Sequence, residues 1–315
     1  YDFKLLADYQ APLWVHNAVF YQIFPDRFHN SDPTLTEKIG AWEDDGYRPK
    51  IRNWDELPRR WEEGGAVDFF GGDLPGITAK LDYLQTLGVN ALYLTPIFDS
   101  RSNHRYNITD FFNVDAVLGG NEALAQLREA LDARGMSLVL DVTPNHLGSQ
   151  HPWFTEALRN RDSETAEYFT LDDSEMGYVA WLGVKTLPKF NYRSQKLRDV
   201  MYRAENSVLR SWLKPPYSID GWRLDVANMT ARQDAAQLGD EVWREVRESL
   251  KAHKPDTYIM GENYFDGSHQ LQGDQLDGTM NYSGFNIPLW RWLSGYLGVW
   301  QFTDKYDDPL PSEVL

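Results

Sequence analysis

Apolar residues fall in short blocks separated by stretches of helical period. Asn17–Pro25 (NAVFYQIFP), Ala91–Ile97 (ALYLTPI), Ser137–Val142 (SLVLDV), Ile219–Val226 (IDGWRLDV) and Tyr258–Glu262 (YIMGE) read as strands, and Leu276–Tyr282 as a sixth. Ile77–Leu87 repeats apolar residues at helical spacing and stops at Gly88. Glu122–Ala133 does the same before Gly135, Val200–Leu213 before Pro215 and Pro216, and Val242–His253 before Pro255. Strands alternating with helices predict parallel βαβ units.

Two layouts accommodate such units, a doubly wound open sheet and a TIM (β/α)8 barrel. No glycine-rich phosphate loop follows an early strand, which weakens the nucleotide-binding open sheet. The barrel is the expectation, with about six of its eight strands in this sequence. One interval breaks the rhythm. Residues 147–195 carry aromatic, acidic and glycine residues without period, and a stretch that long predicts a small subdomain inserted after the third strand. The expected organisation is therefore 1–146 with strands one to three, 147–195 as the insert, and 196–315 with strands four to six.

Composition narrows the function. The 315 residues include 47 Asp and Glu against 31 Lys and Arg, a formal charge of −16. That balance argues against nucleic acid, whose binding rests on Lys and Arg neutralising phosphates, and against an anionic membrane surface. No apolar run approaches the ~18 residues of a membrane span. The absence of cysteine excludes disulfides, thiolate metal sites and a cysteine nucleophile. Without a signal peptide in these residues, the expected location is cytoplasmic. The 12 Trp, 17 Tyr and 15 Phe suit both a large core and a groove that stacks flat ligands such as sugar rings.

The chemistry is expected where strands end. Alternation puts Gly221, Arg223 and Asp225 on one face of the fourth strand. A Gly-x-Arg-x-Asp row is unusual for a barrel interior, which favours branched apolar residues. Arg223 beside Asp225 is expected to lower its pKa and keep it ionised, as a nucleophile requires. Glu262 ends the fifth strand, so two carboxylates meet at neighbouring strand ends. A carboxylate pair about 5–5.5 Å apart is the retaining glycosidase arrangement. The third strand ends DVTPNH, placing Asp141, Asn145 and His146 at the same rim.

The rows DVTPNH, GWRLD and GEN, in this order on successive strands, resemble the α-amylase family of glycoside hydrolases. LPKFN (Leu187–Asn191), VFYQIFPDRF, FFGGDLPGI and SNHRYNITDFF are similar to its neopullulanase, cyclomaltodextrinase and maltodextrin glucosidase branch. The resemblance implies double displacement with Asp225 as nucleophile, Glu262 as acid/base and Arg223 holding the nucleophile. It implies that His146 contacts the reacting sugar, that Tyr106 stacks on it, and that His104 shares that loop. Asp141 and Asn145 match supporting residues. The implied activity is hydrolysis of α-1,4 bonds in maltodextrins, starch-derived oligosaccharides or cyclodextrins, with some α-1,6 action. The alternatives are a transglycosylase or isomerase of the same family, or a catalytically incomplete carbohydrate-binding fragment. No cofactor and no metal are expected. A homodimer of the full-length protein is the partner the branch implies.

Three departures from the family pattern stand out. Its fourth motif, a histidine and an aspartate on the seventh strand, is not in these 315 residues, so a longer polypeptide is expected to supply it. Asn107 follows the stacking tyrosine where relatives carry aspartate. The N-terminal β-domain of the branch is also not in this sequence. Asn30, Asp32 and Asp73 are oxygen donors at places suited to calcium, but they fall short of the ~6–8 ligands that ion takes.

Overall fold

The computed structural model describes residue 9 and residues 11–294. Its centre is one sheet of six parallel strands: β1 (Phe20–Ile23), β2 (Ala91–Leu94), β3 (Ser137–Val142), β4 (Gly221–Leu224), β5 (Tyr258–Gly261) and β6 (Gly278–Thr279). They neighbour one another in unbroken chain order. A doubly wound sheet reverses order at a switch point, and none occurs among these strands. The sheet curls as an arc of a (β/α)8 barrel.

The strands sort their side chains by alternation. Leu92, Leu94, Leu138, Leu140, Trp222, Leu224 and Ile259 belong to the main core, between the sheet and its helices. On the opposite, inner face, Tyr93, Val139 and Tyr258 form a second small cluster with Met260 and Met280. Gly221 lies on that inner face, where a Cβ would come within 2.5 Å of the Tyr258 carbonyl oxygen. Register puts Asp141 directly beside Arg223, and Arg223 beside Met260. The polar row is therefore carried inward by the same pleat that sends the leucines outward.

Helices cover the outer face. The expected helix over 77–87 is two short ones, α1 (Leu74–Ala79) and α2 (Leu81–Thr86), hinged where Lys80 leaves helical geometry. α3 (Gly120–Asp132) follows a hairpin made by Phe98–Ser100 and Ile108–Val114. Segment 147–195 contains α4 (Pro152–Arg159), a 3-10 turn at Glu164–Tyr168 and isolated antiparallel bridges. Its Leu147, Phe154, Phe169 and Phe190 pack into the main core.

The helix expected over 200–213 is not continuous. α5 (Gln195–Arg198) runs into a π-turn at Asp199–Arg203, the chain extends at Ala204, and α6 (Val208–Ser211) restarts after Ser207. Tyr202 and Arg203 both reach Glu245 on α7 (Gly239–His253), at 2.6 and 2.7 Å. Those tertiary bonds outweigh the local helical period. α8 (Ile287–Ser294) closes the described chain. Among the described residues no helix is long and apolar enough to cross a membrane.

Candidate active site

β3, β4 and β5 deliver the site. Asp141 lies within β3, Arg223 within β4, and Asp225 and Glu262 immediately follow β4 and β5. All four are at least nine-tenths buried. Arg223 is the hub. Its Nη1 donates to Asp225 Oδ1 at 2.7 Å and to both Asp141 oxygens at 3.0 Å, and its Nη2 lies 2.7 Å from Glu262 Oε1.

One cation among three carboxylates changes the expected electrostatics. Burial pushes Asp225 well above the usual carboxylate range; Arg223 opposes this, while Glu262 and Asp141 add to it. Burial likewise pushes Asp141 up to about 6, against Arg223 and two tyrosine hydroxyls. The sequence reading of a private Asp225–Arg223 pair with a lowered pKa is thus corrected. The guanidinium is shared, and removal of the carboxylates from water is the larger effect.

The backbone after Asp225 is strained. Val226, a buried β-branched residue, has φ 48°, in the left-handed region that disfavours such side chains. In that conformation its N–H donates to Glu262 Oε2 at 2.9 Å. Glu262 Oε1 also accepts from Tyr282 Oη at 3.4 Å. Both Glu262 oxygens are therefore positioned, one by the guanidinium and one by the residue that follows Asp225.

The remaining predicted residues surround this cluster. His146 Nε2 is 3.9 Å from Asp225 Oδ2, and its Nδ1 is 3.1 Å from the Asn145 amide. Burial, then Lys189, drives His146 down to about 3, so the imidazole is neutral and its approach to Asp225 is not an ion pair. Tyr106 donates to Asp141 Oδ2 at 3.0 Å, and the Arg223 guanidinium lies 5.8 Å from its ring centre. His104 stacks on Tyr106 with centroids 5.8 Å apart, and desolvation and Arg105 drive it down to about 4. All eight candidate residues thus gather in one region, six of them lining a cleft of about 930 Å³ with Asp141 and Asn145 immediately behind.

Several lining residues were not foreseen. Tyr93 donates to Asp141 Oδ2 at 2.6 Å. Its signal was present: an aromatic with a polar tip between outward leucines in ALYL must face inward. Trp181 stacks on His146 with ring centres 5.4 Å apart. It belongs to the aperiodic segment 147–195, where the sequence offers no such signal. Asp44, Tyr47 and Trp61 come from the charged loop after β1, which reads as solvated surface.

Segment 147–195 is tied to the loop that carries the cluster. Lys189 Nζ donates to the carbonyl oxygens of Met229 (3.1 Å) and Arg232 (2.7 Å). Of the calcium candidates, Asp32 and Asp73 serve the chain itself, while Asn30 Oδ1 is buried without a hydrogen-bond partner among the described residues. Asp73 Oδ2 accepts from the N–H groups of Ser31 (3.0 Å) and Asp32 (2.8 Å), and Asp32 caps Thr34. Among the described residues no group of three or more His, Asp or Glu is arranged to hold a metal ion.

The family model of the alpha-amylase catalytic domain matches residues 22–304. A cyclomaltodextrinase of Geobacillus thermopakistaniensis is 36% identical over 304 residues, covering 94% of this chain and 47% of that protein. Neopullulanase 2 of Thermoactinomyces vulgaris is 34% identical, covering 87% of this chain and 43% of that protein. The ligand-free cyclic α-maltosyl-(1→6)-maltose hydrolase from Arthrobacter globiformis matches with a TM-score of 0.76 at 35% identity, over 91% of this chain and 60% of that one. The chain spans about half the length of the curated relatives it matches. A parallel barrel arc with an Asp–Arg–Asp–Glu cluster at its strand ends, and matches of this extent, mean that the chain belongs to the α-amylase family as a catalytic domain.

Proposed function

We propose that the protein to which this chain belongs is a retaining α-glucan hydrolase. Its substrates would be maltodextrins, starch-derived oligosaccharides or cyclodextrins, cleaved at α-1,4 bonds with some action on α-1,6 bonds. The observation that carries the reading is the bridging of Asp225 and Glu262 by one guanidinium at neighbouring strand ends inside the cleft. Two carboxylates gathered on one small cation favour direct attack over attack through an interposed water.

In this reading a sugar ring rests on Tyr106, with His146 beside it. An oxygen of ionised Asp225 attacks the anomeric carbon as the bond to the leaving oxygen breaks, and Glu262 gives that oxygen its proton. A glycosyl ester on Asp225 results. Glu262, now a carboxylate, takes a proton from water, the hydroxide attacks the anomeric carbon, and the ester bond breaks to restore Asp225 with net retention. Tyr93, Tyr106 and Asp141 would hold Arg223 in place throughout. A relative 35% identical, from Bacillus subtilis, is named intracellular maltogenic amylase, which fits a cytoplasmic location.

The test is the natural polypeptide carrying this chain, assayed on maltotriose with the anomer of the released sugar followed by NMR. Asp225→Asn and Glu262→Gln should each lower kcat by about 10³-fold or more while the fold is kept. Turnover near the wild-type rate in either variant, or release of the β-anomer first, would overturn the assignment.

A further inference from the structure

The loop after β1 contributes a wall to the cleft that the reacting cluster does not need. Asp44 and Tyr47 exchange both backbone hydrogen bonds at 2.9 Å, across Asp45 (φ 47°) and Gly46 (φ 81°). Two central residues with positive φ define a tight hairpin turn, so Asp44 is fixed by backbone geometry. The Tyr47 hydroxyl donates to the Glu62 carbonyl at 2.6 Å, tying this turn to the short helical turn that starts at Trp61. The two turns therefore brace each other.

Both turns aim a side chain at the cleft. Asp44 is half-buried, lines the cleft, and forms no ion pair among the described residues. Asn107 donates its amide to Asp44 Oδ2 at 3.3 Å, and no described residue donates to Oδ1. Burial and the neighbouring Asp45 raise its pKa, with Arg101 opposing. Trp61 is 66% exposed, a large apolar ring left in solvent within a cleft. One face is backed by His104 at 5.4 Å, and His104 in turn stacks on Tyr106. A rigidly backed indole with an open face, beside a carboxylate with acceptor capacity, matches a pyranose. The ring's C–H face lies on the indole while its hydroxyls donate to the carboxylate.

We propose that Asp44 and Trp61 form a glucosyl subsite on the cleft rim, which holds a sugar unit outside the one seated on Tyr106 and favours longer α-glucans. This deepens the hydrolase reading and rests on it for the ligand class. The subsite is tested by isothermal titration of maltose and maltotetraose, in the Glu262→Gln background so that ligand is not consumed. Maltotetraose should bind more tightly than maltose. Trp61→Ala and Asp44→Asn should each remove about tenfold of that gain, and Trp61→Phe should keep most of it. A maltotetraose-to-maltose affinity ratio unchanged by both variants, or no binding of maltotetraose, would overturn the subsite. The hydrolase reading fails separately, if the unsubstituted protein releases no sugar from maltotetraose while the affinity ratio still responds to Trp61 and Asp44.

Discussion

Asp141 receives hydroxyl protons from Tyr93 and Tyr106 and shares its cation with two other carboxylates. Its pKa lies above its unfolded value, near 6. A buried acid shifted this way is tolerated while protonated and becomes costly as it ionises. Stability from this group is present below about pH 4 and is lost as pH rises through about 6. Asp141→Asn should therefore flatten the decline of Tm across that interval, and Asp225, also shifted upward, should keep it from vanishing. A Tm profile parallel to that of the unsubstituted protein would contradict this account. Arg223, Asp225 and Glu262 were legible in the sequence because strand alternation alone sorts inward from outward positions. The sharing of the guanidinium was not legible. It depends on inter-strand register, which brings Asp141 beside Arg223 and is set by the whole sheet.

Elements with an uninterrupted period were readable to within a few residues, as α3, α7 and β3 show. The segment over 199–211 was not, because Tyr202 and Arg203 bond to Glu245 on a helix some forty residues later. Segment 147–195 presents the same difficulty. Its Phe154, Phe169 and Phe190 carry no period and find their places only against the barrel core. Lys189 shows what holds it there, a partly desolvated ammonium whose pKa burial lowers and whose protons go to two carbonyl oxygens beyond Asp225. Lys189→Met would leave those carbonyls without that donor. A loss of about 1–3 kcal/mol in denaturant unfolding is expected. A midpoint equal to that of the unsubstituted protein would mean that the contact contributes nothing net.

Over the whole molecule, a charge of −16 coexists with a cleft for which an uncharged ligand is proposed. A neutral glucan releases no counterions on binding, so the protein's field does not enter its affinity to first order. The Kd for maltotetraose should change by less than about twofold between roughly 0.05 and 0.5 M NaCl. A steep dependence would point instead to a charged ligand. Composition disfavours polyanions on physical grounds but does not single out a sugar; that reading rests on the residues at the strand ends. The Lys189 tie also joins two stretches far apart in sequence, 147–195 and the loop after Asp225, which Thr170 and Gln233 join again at 3.2 Å. Such stretches are expected to open together as one unit of local unfolding, so a fluctuation that lifts segment 147–195 should also reach the Val226 amide that positions Glu262.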